Sequence, residues 1–97
     1  MSTPWTDSEL KKAIQAYFCM LKYELNKTPY VKSDINKALQ KQIPTRNRAS
    51  IEYRWQNISS VLADHKKQFV SGYKPATNVG VNVKERIWKI IKELSLV

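Results

Sequence analysis

The sequence predicts an all-helical fold of about four helices, and three observations carry that prediction. Apolar residues recur at spacings of three and four along several segments, as in helices that bury one face. Two segments begin with a polar residue followed three positions later by glutamate, which is typical of a helix N-terminus. Only two glycines occur in 97 residues, fewer than the turns of an all-β fold usually use. We therefore expect residues 1–97 to form one compact helical domain.

The first helix is predicted to begin after Thr6. Thr6 and Glu9 have the spacing of a capping box, in which each side chain accepts a hydrogen bond from a free backbone N–H. Trp5 and Leu10 are spaced to form a hydrophobic staple across this start. The predicted buried stripe comprises Leu10, Ile14, Tyr17, Leu21 and Leu25, and the helix is expected to end within residues 26–29.

Two further helices are predicted in the middle of the chain, separated by a short turn at 44–46. The shorter one is expected to use Ser33 as its cap and to end at Pro44, because proline disfavours helix in the residue before it. Its predicted buried face is Ile35, Ala38, Leu39 and Ile43. The longer one is expected to use Asn47 as its cap and to end near Asp64 and His65. Its predicted buried face is Ile51, Trp55, Ile58 and Leu62.

An irregular segment at about 66–81 is expected to precede the last helix, since it contains both glycines. Its apolar residues Phe69, Val70 and Tyr73 are expected to hold it against the core. The last helix is predicted to use Asn82 as its cap, with Glu85 three residues on. Its predicted buried stripe is Val83, Ile87, Ile90 or Ile91, and Leu94.

Charge is the strongest sequence signal about partners. Lys and Arg total 17 against 8 Asp and Glu, giving a net charge of +9 and a pI near 9.8. Such an excess attracts polyanions, of which nucleic acid and anionic membranes are the obvious examples. A merely soluble basic domain is the alternative interpretation. No apolar run approaches the ~18 residues that span a bilayer, no signal peptide is recognisable, and Cys19 is the single cysteine. These features predict a cytoplasmic protein without membrane association.

Residues that could carry catalysis are scarce. His65 is the only histidine, and no Cys, His or Asp cluster or glycine-rich phosphate loop accompanies it. We therefore expect no metal, no cofactor and no enzymatic activity in this domain itself.

The segment from Ser33 to Leu62 predicts a helix-turn-helix, in which the second helix lies in the major groove of DNA. Arginine can bridge guanine O6 and N7, and asparagine or glutamine can bridge adenine N6 and N7. The candidate DNA-binding residues on the turn and the longer helix are Arg46, Asn47, Arg48, Ser50, Glu52, Tyr53, Arg54, Gln56 and Asn57. On spacing alone, a solvated basic face on an ordinary helical bundle is an equal alternative, and the net charge favours nucleic acid.

A second candidate contact is the loop at 71–78, where Tyr73, Lys74 and Asn78 are the predicted DNA-binding residues. Gly72 gives the backbone freedom and Pro75 stiffens the exit, so this sequence could present Tyr73 and Lys74 in a fixed pose. A purely structural loop, with Tyr73 buried as a lid on the core, is an equal alternative.

The chain resembles two known groups of domains. Residues 5–10 and 53–58 resemble parts of Myb/SANT-type three-helix domains. A longer resemblance covers most of the chain and is carried by Trp5, Thr6, Glu9, Leu10, Tyr17, Met20, Leu21, Glu24, Leu25, Tyr30, Lys32, Ser50, Ile51, Glu52, Asn57, Ile58, Ser59, Val61, Leu62, Gly72, Tyr73, Lys74, Pro75 and Asn78. With these residues the chain resembles the N-terminal helical module of bacterial HNH-type endonucleases and related defence proteins.

This resemblance implies a function in targeting double-stranded DNA, including modified DNA in restriction. In that family the module is joined to a separate nuclease domain, and no HNH catalytic residues occur within these 97 positions. Two alternatives remain open at this point. One is a SANT-like protein-interaction adaptor that binds no nucleic acid. The other is a nuclease, if the native chain continues beyond Val97.

Overall fold

Four α-helices follow one another in the computed structural model, which describes residues 4–97. They are α1 (Asp7–Leu25), α2 (Lys32–Gln42), α3 (Arg48–Asp64) and α4 (Val81–Glu93). No strand occurs between residues 4 and 97. The predicted all-α bundle of about four helices is thereby confirmed, while the helix-turn-helix geometry of its middle stays a prediction.

The starts of α1 and α3 are fixed by the side chains that the sequence predicted. Thr6 Oγ1 accepts a hydrogen bond from the Glu9 N–H at 3.1 Å, and Glu9 Oε1 accepts one from the Thr6 N–H at 2.9 Å. Asn47 Oδ1 accepts a hydrogen bond from the Ser50 N–H at 2.8 Å. In both helices a polar side chain replaces water as the acceptor for a backbone donor that has no partner inside the helix.

The predicted caps of α2 and α4 were wrong. Both helices begin earlier, and neither has a side-chain cap. The Val31 carbonyl accepts the first helical hydrogen bond of α2, so Ser33 lies inside the first turn. The Gly80 carbonyl accepts from the Lys84 N–H at 3.1 Å, which likewise places Asn82 inside the first turn of α4. Glycine is tolerated at this cap position almost as well as a polar residue.

The core lies around α3, which contacts each of the other three helices. Trp55 is fully buried and donates its indole Nε1–H to the Ala13 carbonyl at 3.1 Å. Val70 and Tyr73 are buried and Phe69 is partly buried, which confirms that the irregular segment packs onto the core.

Two residues assigned to buried stripes lie on the surface instead. Leu25 is 56% exposed at the last position of α1, and Ala38 is exposed on α2. Neither side chain is covered by another helix. The stripe of apolar residues on α1 and α2 is therefore longer than the part of it that packs against the core. Within residues 4–97 no helix is both long enough and apolar enough to cross a membrane.

Candidate nucleic-acid interface

The first half of α3 presents an exposed face. The side chain of Arg48 is 66% exposed and pairs with Glu52, one turn on, at 2.9 Å. Tyr53 is 50% exposed, and Ser50, Glu52 and Gln56 are partly exposed. Because the ion pair of Arg48 lies in solvent, it is weak, and the guanidinium can exchange Glu52 for another anion at little cost.

The loop at 71–78 lies directly beside this face. The Ala76 N–H donates to the Gln56 carbonyl at 3.2 Å, and the rings of Tyr73 and Trp55 lie 5.2 Å apart. Lys74 and Asn78 are exposed on the same loop. The structure therefore brings the two predicted contact regions, α3 and the loop, into one neighbourhood.

Tyr73 belongs to the core rather than to the exposed part of the loop. It is 7% exposed, and Lys32 Nζ lies 5.2 Å from the centre of its ring. Burial, together with the nearby Glu52 carboxylate, raises the pKa of the Tyr73 hydroxyl to about 12. A Cβ at Gly72 would lie 2.2 Å from Lys32 Nζ, the flexible end of a side chain that can move aside, so the Lys32 side chain packs closely over this glycine. Of the two alternatives for Tyr73, these contacts match the structural one.

Arg46 is also placed inside the protein. Its guanidinium donates to Glu9 Oε1 at 2.8 Å, to Glu9 Oε2 at 2.9 Å and to the Pro4 carbonyl at 2.9 Å. Its side chain is 6% exposed and that of Glu9 is 14% exposed. Hydrogen bonding by Arg46 lowers the pKa of the Glu9 carboxyl to about 2. Arg46 thus joins the turn between α2 and α3 to the start of α1, and the side-chain oxygen of the adjoining Asn47 is used by the cap.

Arg54 and Asn57 lie on the flank of α3 that faces the start of the chain. Arg54 Nη1 donates to Asn57 Oδ1 at 3.0 Å, and the guanidinium carbon lies 4.9 Å from the centre of the Trp5 ring. Asn57 is 2% exposed. Burial, followed by the charges of Arg86 and Arg46, lowers the pKa of Arg54.

The predicted site residues therefore divide into two sets. The surface set, partly or fully exposed on α3 and the loop, is Arg48, Ser50, Glu52, Tyr53, Gln56, Lys74 and Asn78. The set engaged in packing, capping or buried contacts is Arg46, Asn47, Arg54, Asn57 and Tyr73. Whether either set contacts DNA stays a prediction.

Sequence reasoning missed residues that join α2 to α3 and residues that join α1 to the loop. Asn36 is 1% exposed, and its Nδ2 donates to the Arg48 carbonyl at 3.3 Å. Tyr30 Oη donates to Glu24 Oε2 at 2.5 Å, and the other oxygen of Glu24 accepts from the Ser71 N–H at 3.0 Å. No local pattern marks these contacts.

Outside this interface, the remaining possibilities are a histidine site and a metal site. The ring of His65 stacks on Trp88 at 3.6 Å between centres, at the far end of α3. No group of three or more His, Cys, Asp or Glu side chains is placed to hold a metal ion within residues 4–97.

Comparison of the chain with protein-family models, with curated proteins and with solved structures found no match.

Proposed function

We propose that this chain is a DNA-binding module that contacts duplex DNA through a recognition surface formed by Arg48, Tyr53, Gln56, Lys74 and Asn78. The observation that carries the proposal is that the loop at 71–78 packs against α3 at Trp55 and Gln56, next to the exposed side chains of the first half of α3. In the proposal, the exposed side chains of these two neighbouring segments contact the same duplex.

The overall charge supports a polyanionic partner. Only four ion pairs between side chains occur within residues 4–97, whereas the chain has 17 Lys and Arg. Most of the basic side chains are therefore not neutralised by a carboxylate. A surface of this kind gains affinity for DNA from the counterions that bound phosphates release.

Each residue of the recognition surface has a chemical role in the proposal. The first turns of a recognition helix are the part that contacts base edges in helix-turn-helix proteins. Arg48, in the first turn of α3, can bind a phosphate or bridge guanine O6 and N7. Gln56 can bridge adenine N6 and N7, and Tyr53 can pack against a sugar or base. Lys74 provides a phosphate contact from the loop, next to the amide of Asn78.

The wider role that we propose is targeting of a bacterial nuclease or of a restriction or defence system. It rests on the resemblance to HNH-associated modules, which also makes modified DNA a candidate substrate. In this proposal the domain selects the DNA and has no catalytic residues of its own. Any cleavage would belong to a separate domain.

The test is binding of a fluorescently labelled DNA duplex, followed by anisotropy between 50 and 200 mM KCl. The two phosphate contacts proposed for Arg48 and Lys74 should alone lower affinity about tenfold over this range, and further contacts by other basic side chains would increase the loss. The double variant Arg48→Ala/Lys74→Ala should bind more weakly than Lys67→Ala, a control that removes one exposed cation near the other end of α3. Absence of binding at low salt, or affinity that does not change with salt, would overturn the proposal and favour the protein-interaction adaptor.

A further inference from the structure

Three arginines from different segments converge on Trp5. The guanidinium carbons of Arg46 and Arg54 lie 4.8 Å and 4.9 Å from the centre of the indole ring. Arg86 Nη2, from α4, donates to the Trp5 carbonyl at 2.9 Å. Arg46, Arg54 and Arg86 are called the Trp5 arginine cluster below.

The Trp5 arginine cluster has more positive than negative charge. Arg46 pairs with Glu9 and Arg86 pairs with Asp7, each at 2.8 Å. Arg54 has no carboxylate partner within residues 4–97, and residues 1–3 contain no Asp or Glu. One positive charge is therefore left without a counter-charge in a partly buried position, where the surrounding protein screens it less than water would.

Two buried hydrogen-bond donors, one on Arg54 and one on its neighbour Asn57, have no acceptor within residues 4–97. They are Arg54 Nε and Asn57 Nδ2. The amide of Asn57 cannot be turned round to relieve this, because its oxygen must face Arg54 Nη1, which only donates. Buried donors of this kind are normally satisfied, and their common requirement is an acceptor.

We propose that the Trp5 arginine cluster binds one phosphate of the DNA backbone, with Arg54 as the principal ligand and Arg86 as the second. The inference rests on the proposed function for the source of the phosphate. The surplus of one positive charge equals the charge of one phosphodiester. Arginine suits this role because its planar donors match phosphate oxygens and its charge persists when it is partly buried.

The position of the cluster determines which helices this phosphate would contact. Arg54 follows Tyr53 of the recognition surface directly on α3, and Arg86 lies on α4. A phosphate bound here would extend the DNA contact from α3 to the start of α1 and to α4. It would fix the position of α3 on the duplex without reading a base, as phosphate contacts generally do.

The first test uses inorganic phosphate and the unmodified protein labelled with ¹⁵N. Phosphate is titrated against chloride at constant ionic strength, and the Arg54 Nε–H and Trp5 Nε1–H signals are followed by NMR. Saturable shifts of both signals are expected in the unmodified protein, and the Trp5 Nε1–H shift should be absent in Arg54→Gln. Shifts that do not differ between phosphate and chloride would overturn the inference.

The second test measures DNA affinity against salt for Arg54→Gln, Arg86→Gln and the control Lys67→Gln. Each arginine variant should reduce the slope of log Kd against log salt by about one unit relative to the unmodified protein, and do so equally on all sequences. The control should reduce the slope by less. If Arg54→Gln fails to fold, as its thermal midpoint would show, Arg86→Gln decides.

The two proposals can fail separately. An unchanged slope in the folded arginine variants, with DNA binding intact in the unmodified protein, overturns the phosphate site and leaves the recognition surface in place. If the unmodified protein binds no DNA, the proposed function is overturned. The phosphate titration then decides whether the cluster is an anion site.

Discussion

The two halves of α3 differ in what surrounds them. In residues 48–56, buried side chains such as Ile51 and Trp55 alternate with exposed ones such as Arg48 and Tyr53. In residues 57–62 every side chain is buried. One continuous helix is thus amphipathic at its start and enclosed on all sides further on. Side chains that could reach a partner are confined to the first half, and the second half is the centre of the fold.

Small polar residues make the enclosed half possible. Ser59 Oγ and Tyr17 Oη share a hydrogen bond at 2.7 Å, and Tyr17 Oη also accepts from the Val70 N–H at 2.9 Å. Both serines of this half, Ser59 and Ser60, are buried. Their small side chains allow close approach of neighbouring segments, and the hydrogen bond of Ser59 offsets the cost of burying its hydroxyl. Serine side chains can therefore lie in the core at residues 57–62.

Substitution of Ile58 should have the largest effect on stability. Ile58→Ala removes a fully buried side chain from the enclosed half and should lower the free energy of unfolding by about 2–5 kcal/mol. Tyr53→Ala, in the exposed half, should change it by about 0.5 kcal/mol or less. Urea denaturation measures both variants, and similar losses would show that the two halves do not differ as described.

The ion pair between Glu9 and Arg46 should give the next effect, and it should depend on pH. Glu9→Gln should lower the free energy of unfolding by about 2 kcal/mol at pH 7, because the pair is largely buried and hydrogen-bonded. The pKa of Glu9 is about 2 in the folded protein, below its ordinary value of 4.5. Its contribution is therefore fully present above pH 4.5 and is lost as the pH falls from 4.5 towards 2.

Denaturation at several pH values checks this prediction, since the difference between the unmodified protein and Glu9→Gln should shrink on acidification. Asp7→Asn is the matched control, because the Asp7 side chain is 82% exposed in its pair with Arg86. Its effect should be about 0.5 kcal/mol or less. A difference for Glu9→Gln that is constant down to pH 2 would contradict the proposed cause.

A smaller loss is expected from Asn47→Ala, which removes the cap at the start of the exposed half. The expected cost is about 1 kcal/mol. Asn82→Ala is the comparison, since Asn82 was expected to cap α4 but lies inside its first turn. Thermal melts should show a lower midpoint for Asn47→Ala than for Asn82→Ala, and the reverse order would indicate that the caps are misassigned.

Arg48→Ala should have the smallest effect on folding and a clear one on binding. Its ion pair with Glu52 is exposed, so we expect a loss of about 0.5 kcal/mol or less in stability. A phosphate contact by Arg48 would weaken all DNA sequences alike and reduce the salt slope by about one unit, whereas a base contact would cost about 1–3 kcal/mol on preferred sites only. Unchanged affinity on all duplexes would remove Arg48 from the recognition surface.

The sequence predicted elements that depend on local patterns. Thr6, Glu9 and Asn47 lie within three residues of the donors that they cap, so spacing alone revealed the starts of α1 and α3. Ser33 and Asn82 are also residues that often cap helices, but the N-cap positions of α2 and α4 lie two positions earlier, at Val31 and Gly80. Because α2 and α4 begin without a side-chain cap, a prediction from capping residue types placed both starts two residues too late.

The candidate site was less predictable because its placement depends on contacts between distant residues. Arg46 was assigned to the surface, yet its carboxylate partner Glu9 lies 37 positions earlier in the chain. Asn57 and Tyr73 were also candidates for DNA contact and are buried. An arginine or a tyrosine has the same sequence signature in a binding surface and in a packed network, and only the fold distinguishes the two.

The hydrogen bond from Val70 to Tyr17 has a kinetic consequence. Val70 lies in an irregular segment, but its N–H is held by a hydroxyl 53 positions away, inside the core. Breaking this bond requires α1 and the segment to separate, which local fraying does not achieve. The amide of Val70 should therefore exchange with deuterium as slowly as the amides at the centre of α3. Part of a loop would then persist until the whole domain unfolds.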